Sequence, residues 1–192
     1  MRRPVVAVAA MIAVAGAAVA GAAVAGAAAQ HQQGSHGAPP AALPATPYAG
    51  LERRAVASLS EQQLADLRAG RGMGFALAAE LNGYPGPAHA MELAQPLGLT
   101  HAQEERIRAL QAAMKAEAVP LGERLIAQES DLDASFRERT VTPAGLRERT
   151  AAIALTQGAL REAHLKYHLA TVEVLTQDQV ARYGALRGYG GR

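Results

Sequence analysis

Leu99-Thr100-His101-Ala102-Gln103 begins a long helical region of the chain, and a second copy of its pattern, Leu175-Thr176-Gln177-Asp178-Gln179, begins the closing helix. In both copies the Thr is typical of a helix N-cap, because its hydroxyl can accept a hydrogen bond from the backbone N–H three residues later. The Gln at that third position can accept from the cap's own N–H, and the preceding Leu can pack against the next apolar turn. The two copies therefore predict two helix starts of the same design.

Apolar residues after the first copy recur at spacings of three, four and seven, which is the pattern of one long amphipathic helix. Pro120 lies inside this helix and is expected to kink it. Thr142-Pro143 predicts a second long helix, which runs to about Val174. The apolar series are Ile107, Leu110, Met114, Leu121, Leu125, Leu132 and Phe136 in the first helix and Leu146, Ile153, Leu160 and Tyr167 in the second. The fold class predicted is all-α, a long antiparallel helical hairpin with short flanking helices, over residues 85–190.

Shorter helices are expected before the hairpin, in an N-terminal helical extension over residues 51–84. Ser60-Glu61-Gln62-Gln63 is a further capping box and predicts a helix to about Arg68. A second short helix is predicted from Phe75 to Leu81. Pro87 suits a first helical position, so a third is predicted from Pro87 to about Gln95, where Pro96 and Gly98 should end it.

The N-terminal residues have the pattern of an export signal. Arg2 and Arg3 supply positive charge, an apolar run extends from Val5 to Val24, and Ala27-Ala28-Ala29 offers a small-residue cleavage site. The alternative is an uncleaved membrane anchor, but Ala and Gly insert weakly and no basic stop follows the run. We expect residues 1–29 to be a signal peptide that is cleaved near Ala29, which places the mature protein in the periplasm.

Residues 30–50 are rich in Pro and Gly and show no apolar periodicity, so we expect a disordered linker there.

Composition also excludes several classes of site. The chain has no Cys and no Trp, which excludes disulfides and thiolate metal sites. Without Arg2 and Arg3 the remaining basic and acidic residues balance, so no nucleic-acid partner is expected. Since no hydrolase or phosphate-loop motif is present, we expect a protein that is not an enzyme.

His164 and His168 are the strongest candidates for a metal site. Four residues apart on a helix, they share one face, and two imidazoles at that spacing can reach one metal ion. The alternative is that both are polar residues on a helix flank. Imidazole suits Zn, Ni and Cu, and we predict one of these divalent transition metals as cofactor, with His89 as a tentative third ligand. Other possible donors are Met91, Glu92, Glu162 and a second subunit, and His31 could bind Cu or Ni if processing fell after Ala28.

The two Leu-Thr-x-x-Gln copies, with Gly86-Pro87-Ala88-His89-Ala90-Met91-Glu92-Leu93 before the first and Ala181-Arg182-Tyr183-Gly184-Ala185-Leu186 after the second, carry a resemblance. Over residues 87–189 the chain resembles the periplasmic Spy/CpxP family, which shares its helical architecture with ZraP-type and CnrX-type heavy-metal resistance proteins. The metal-sensing relatives use a His pair on the first helix and a His-x-x-x-Met pair near the last box. Here the first helix supplies His89 alone, and the second pair is His164 and His168.

The resemblance implies a curved, all-α antiparallel dimer that either binds or senses a heavy metal during envelope stress, or acts as an ATP-independent chaperone for unfolded periplasmic proteins. A third role is that of an adaptor docking on a membrane stress sensor. The residues themselves also favour a homodimer, because Leu155, Leu165, Leu169 and Val172 give the second helix an extra apolar face. The alternative is a monomeric bundle that the segment Ser60–Leu81 closes.

Overall fold

Two long antiparallel helices form the body of the protein. The structure is a computed structural model, and it describes residues 46–189. The predicted all-α fold, with a helical hairpin and short flanking helices, is confirmed. The predicted signal peptide and most of the predicted linker lie outside the described residues. A 3-10 turn at Leu51–Arg53 precedes the α-helices, which are α1 (Glu61–Arg68), α2 (Leu77–Glu80), α3 (Pro87–Glu92), α4 (Ala94–Leu97), α5 (His101–Arg137), α6 (Pro143–Val172) and α7 (Gln177–Arg187). Within residues 46–189, no helix combines the length and apolar character needed to cross a membrane.

All three predicted capping boxes are present. The Ser60 hydroxyl accepts from the Gln63 N–H, Thr100 from Gln103, and Thr176 from Gln179, each over 3.2 Å. In each box the Gln side-chain oxygen accepts from the backbone N–H of the cap residue in return. These bonds satisfy backbone donors that a helix start leaves without a partner.

The two Leu-Thr-x-x-Gln boxes also bond to each other. The Gln103 amide donates to Gln179 Oε1 over 2.8 Å, and the Gln179 amide donates to Gln103 Oε1 over 3.1 Å. Gln103 further donates to the Val174 carbonyl at 2.9 Å. Leu99 and Leu175 pack against the small core around Ala90 and Ile107. The repeated pattern therefore joins the starts of α5 and α7 as well as capping them.

Proline and glycine place some helix ends differently from the prediction. The helix that begins at Pro87 stops at Glu92, and Pro96 lies inside the single turn of α4. Pro96 fits there because the first turn of a helix has no use for its N–H. The turn ends at Gly98, whose φ of +64° belongs to the left-handed region. α5 continues unbroken across Pro120.

The N-terminal extension packs on the hairpin. Leu64 and Leu67 of α1 join a core with Leu125, Ile153 and Leu160 from the long helices. At Gly122, a Cβ atom would lie 2.5 Å from the Leu67 carbonyl oxygen, so only glycine permits this approach of α1 to α5. The extension thus covers one side of the hairpin, as the bundle alternative requires.

The extra apolar face of α6 is left exposed by the residues that the structure describes. Leu155 is 76% exposed and Leu169 is 55% exposed. The two residues are 14 positions apart, or about four helical turns, and therefore lie on nearly the same side of α6. The predicted homodimer remains a prediction.

Candidate metal-binding site

A cavity of about 230 Å³ lies between the N-terminal segments and the hairpin. It collects side chains from helices far apart in the sequence. Its polar and sulfur-bearing lining residues are Met73, Glu80, His89, Met114, His164 and His168. All three histidines that the sequence singled out for metal binding therefore line one cavity.

α6 directs His164 and His168 into this cavity. Only 2% of His164 and 7% of His168 is exposed, so both imidazoles are buried. The His168 Nδ1–H donates to the Tyr84 carbonyl oxygen over 2.7 Å, because a carbonyl can only accept. This bond uses Nδ1, so Nε2 is the nitrogen of His168 that it leaves for another partner. At Gly86 a Cβ atom would lie 2.8 Å from that ring, so the backbone passes directly against it.

His164 and His89 each bring to the cavity a buried ring nitrogen that makes no hydrogen bond within residues 46–189. The His164 ring stacks on Phe75, with centroids 5.8 Å apart and an interplanar angle of 18°. Its Nε2 atom is buried and has no hydrogen-bond partner in the part of the chain that the structure describes. Burial, and secondarily the nearby His168, lowers the pKa of His164, which keeps the imidazole neutral at physiological pH. A neutral ring with an unpartnered nitrogen is the form that binds a metal ion.

Glu80 is a buried carboxylate beside the histidines. The Gly86 N–H donates to its Oε2 atom over 3.2 Å, and the Tyr189 hydroxyl donates to Oε1 over 3.1 Å. The Tyr183 hydroxyl also donates to Oε1. Burial acts to raise the pKa of Glu80, but its contacts with His89 and the two tyrosines outweigh it and lower the pKa to about 2. The side chain is therefore ionised.

Two more groups surround the Glu80 carboxylate. Arg187 Nε lies 3.8 Å from Oε1, and Arg187 also reaches Glu92 over 3.5 Å. His168 Nδ1 lies 3.7 Å from Oε2. Burial, together with the hydrogen bond to Glu80, raises the pKa of Tyr183, so its hydroxyl remains a donor. These contacts attach α7 to α2 beside the cavity.

His89 stands at the more open side of the cavity, with its side chain 42% exposed. Its Nδ1 atom lies 3.2 Å from Glu80 Oε1, but the ring N–H is not aimed at the oxygen, so the contact is chiefly an ion pair. The interaction with Glu80 raises the pKa of His89. An imidazole held by a carboxylate through Nδ1 leaves Nε2 for a metal, an arrangement common in metalloproteins.

The other proposed donors lie elsewhere. Met91 packs against the core around Ala90 and Ile107, and Glu92 is exposed beside Arg187. Glu162 is exposed on α6. His31, a possible ligand near the processed N-terminus, lies outside the described residues.

Residues 46–189 contain no group of three or more His, Cys, Asp or Glu side chains already placed to hold a metal ion. The three imidazoles therefore share a cavity without converging on one point. Rotation of the rings, above all of the partly exposed His89, would have to bring them together. In chemical type these donors suit a transition metal, and the buried Nε2 of His164 has no competing partner among the described residues.

Sequence reasoning missed Glu80 and its tyrosine partners. The available signal was a single acidic residue within the apolar stretch Phe75–Leu81. A lone charge in such a stretch either faces solvent or is buried with partners, and the sequence does not distinguish the two. The partner Tyr183 lies 103 residues away.

Comparison of the chain with protein-family models, with curated proteins and with solved structures gave no match.

Proposed function

We propose that this is an exported, non-enzymatic protein of the Spy/CpxP and CnrX type that binds or senses a transition metal, Zn, Ni or Cu, during envelope stress. His164 and His168 are the core ligands and His89 is the third. The observation that carries the proposal is the buried Nε2 of His164, which has no hydrogen-bond partner within residues 46–189 and lines a cavity with two other imidazoles. The periplasmic location and the stress role depend on the N-terminal pattern and on the motif resemblance.

The energetics of burial support a bound ion. A buried polar atom without a partner costs about 1–3 kcal/mol, and this site carries that cost at His164. Coordination would offset it. The Tyr84 carbonyl orients His168 and the Glu80 carboxylate orients His89, which are the outer contacts that metal-ligating histidines commonly make. The lowered pKa of His164 removes competition from protons near neutral pH.

Calorimetric titration of the protein with Zn²⁺, Ni²⁺ and Cu²⁺ tests the proposal. We expect tight binding of at least one ion by the natural protein. The double variant His164→Gln, His168→Gln should weaken it by at least about 100-fold, since each lost contact in such sites costs roughly 10-fold or more. His101→Gln is the matched control, because His101 is exposed and pairs only with Glu105. Equal affinity in the natural protein and the double variant would refute the proposal.

A chaperone role is the second candidate, and one surface feature favours it. Large apolar side chains are exposed along residues 73–84, at the edge of the same cavity; they are Met73, Leu77, Leu81 and Tyr84. Such a patch is typical of a surface that binds other apolar chains. The protein should then suppress aggregation of a denatured client in metal-free buffer. Leu77→Ser with Leu81→Ser should abolish this, while Leu186→Ser on α7 should not.

A further inference from the structure

We propose that the metal of this site is copper in its cuprous state, and that Met73 and Met114 supply thioether ligands beside the histidines. This inference depends on the proposed function, because it names the ion for the same cavity. Both methionines line that cavity. Thioethers are soft ligands that select Cu(I), whereas imidazole alone accepts Zn, Ni and Cu.

Met73 reaches the cavity from a strained turn. The Phe75 N–H donates to the Gly72 carbonyl over 2.7 Å, which closes a four-residue turn. Its two central residues, Met73 and Gly74, have φ values of +41° and +83°. Positive φ at both central positions is the geometry that Gly, Asn and Asp adopt readily. A methionine there costs on the order of 1–2 kcal/mol.

The same turn is built around His164. Phe75, its last residue, stacks on the imidazole, and at Gly72, its first, a Cβ atom would lie 3.7 Å from His164 Nδ1. The turn thus encloses the ring on which the proposed function depends. Met73 is 37% exposed, so packing of its side chain offsets only part of the cost of its backbone conformation. A thioether that can bind metal beside His164 explains why methionine occupies a strained position.

Met114 reaches the cavity from α5. It belongs to the apolar stripe of α5 and is 7% exposed. Unlike its neighbours in that stripe, it brings a sulfur atom to the cavity that holds His164 and His168. Methionine also adapts its shape easily, so the thioether can turn toward an ion without disturbing the helix.

The charges of the lining also favour a monovalent ion. The one acidic lining residue is Glu80, and it already accepts from Gly86, Tyr183 and Tyr189 and pairs with His89. The remaining proposed ligands are imidazoles and thioethers, none of which carries a negative charge. The cost of burying an uncompensated ion rises with the square of its charge, so Cu(I) is less costly here than a divalent ion.

The test compares Cu(I) with Zn²⁺ in the full chain. Cu(I) is supplied without oxygen as its acetonitrile complex, and its affinity is measured by competition with a chromophoric Cu(I) chelator. The double variant Met73→Leu, Met114→Leu keeps side-chain volume, and we expect its Cu(I) affinity to fall by at least about 10-fold. Zn²⁺ affinity should not change. Met91→Leu is the matched control, because Met91 packs in a different core.

A second measurement needs no variant. X-ray absorption at the copper edge of the loaded natural protein should show sulfur as well as nitrogen scatterers, and the double variant should lose the sulfur signal. Nitrogen scatterers alone in the natural protein, or an equal fall of Zn²⁺ and Cu(I) affinity in the variant, would refute the thioether assignment and leave the histidine site standing. Failure of the natural protein to bind any of the ions would refute the proposed function itself.

Discussion

Glu80 shows how one buried residue is stabilised by partners from distant parts of the chain. It is 4% exposed, and its carboxylate is surrounded by donors from the 86–89 segment and from α7. A buried charge is costly unless it is paired and hydrogen-bonded, and here both conditions hold. Removal of the charge should therefore affect stability in a way that depends on pH.

We predict that replacing Glu80 with Gln removes a pH-dependent part of the stability. The folded-state pKa, about 2, lies below the ordinary value of 4.5, so the unfolded state binds the proton more tightly. The stabilisation is full above pH 4.5 and is lost as the pH falls from 4.5 to 2, by about 3 kcal/mol in all. Urea unfolding in metal-free buffer across this range measures it.

The difference between the natural protein and Glu80→Gln should therefore shrink as the solution is acidified. Glu162→Gln serves as the control, because Glu162 is exposed on α6 and should leave the pH profile of the natural protein unchanged. A constant difference between pH 7 and pH 2 would show that Glu80 is not ionised in the folded protein.

At the scale of elements, local sequence predicts helix starts better than helix ends. Ser60, Thr100 and Thr176 begin helices as predicted, because a capping box is complete within four residues. The predicted helix start at Phe75 was two residues early, because the Gly72–Phe75 turn and the stacking on His164 determine that backbone. Pro96 was predicted to end the helix that begins at Pro87, but that helix stops at Glu92 and Pro96 lies inside the next helical turn. The effect of a proline depends on where the preceding helix stops.

We predict that the two Leu-Thr-x-x-Gln boxes are coupled energetically. Gln103→Ala should lose both a cap contact and the bond to Gln179, for about 1–2 kcal/mol, and Gln179→Ala should behave alike. The double variant should cost less than the sum by about 0.5 kcal/mol or more, because either single variant already removes both hydrogen bonds between the boxes. Chemical unfolding of all four proteins gives the coupling.

The box at Ser60 provides the control for that cycle. Gln63 caps α1 in the same way but makes no bond to either of the other boxes. Gln63→Ala should therefore cost the cap contact alone, and its effect should add to that of Gln103→Ala. If the effects of Gln103→Ala and Gln179→Ala are additive, the reciprocal hydrogen bonds between the two side-chain amides contribute nothing measurable to the free energy of unfolding.

For the whole molecule, the sequence predicted the all-α fold and singled out three histidines that line one cavity, but it did not predict the other residues around that cavity. His164 and His168 were chosen as candidates because their spacing places both on one helical face. The Glu80 contacts join residues more than 100 positions apart, and the position of Met73 depends on a turn that packs against α6. No local pattern contains either arrangement, since both arise only when the extension packs on the hairpin.

The exposed face of α6 leads to a prediction about assembly. Residues 46–189 leave Leu155 and Leu169 exposed, because the extension packs elsewhere on the hairpin. Exposed apolar side chains on one side of a helix favour association, and a second copy would bury both. We expect sedimentation equilibrium to give a dimer, and Leu155→Lys with Leu169→Lys to give a monomer that keeps its helicity. Leu186→Lys, an exposed position on α7, should remain dimeric. A natural protein that is monomeric at high concentration would mean that the Ser60–Leu81 segment alone completes the fold.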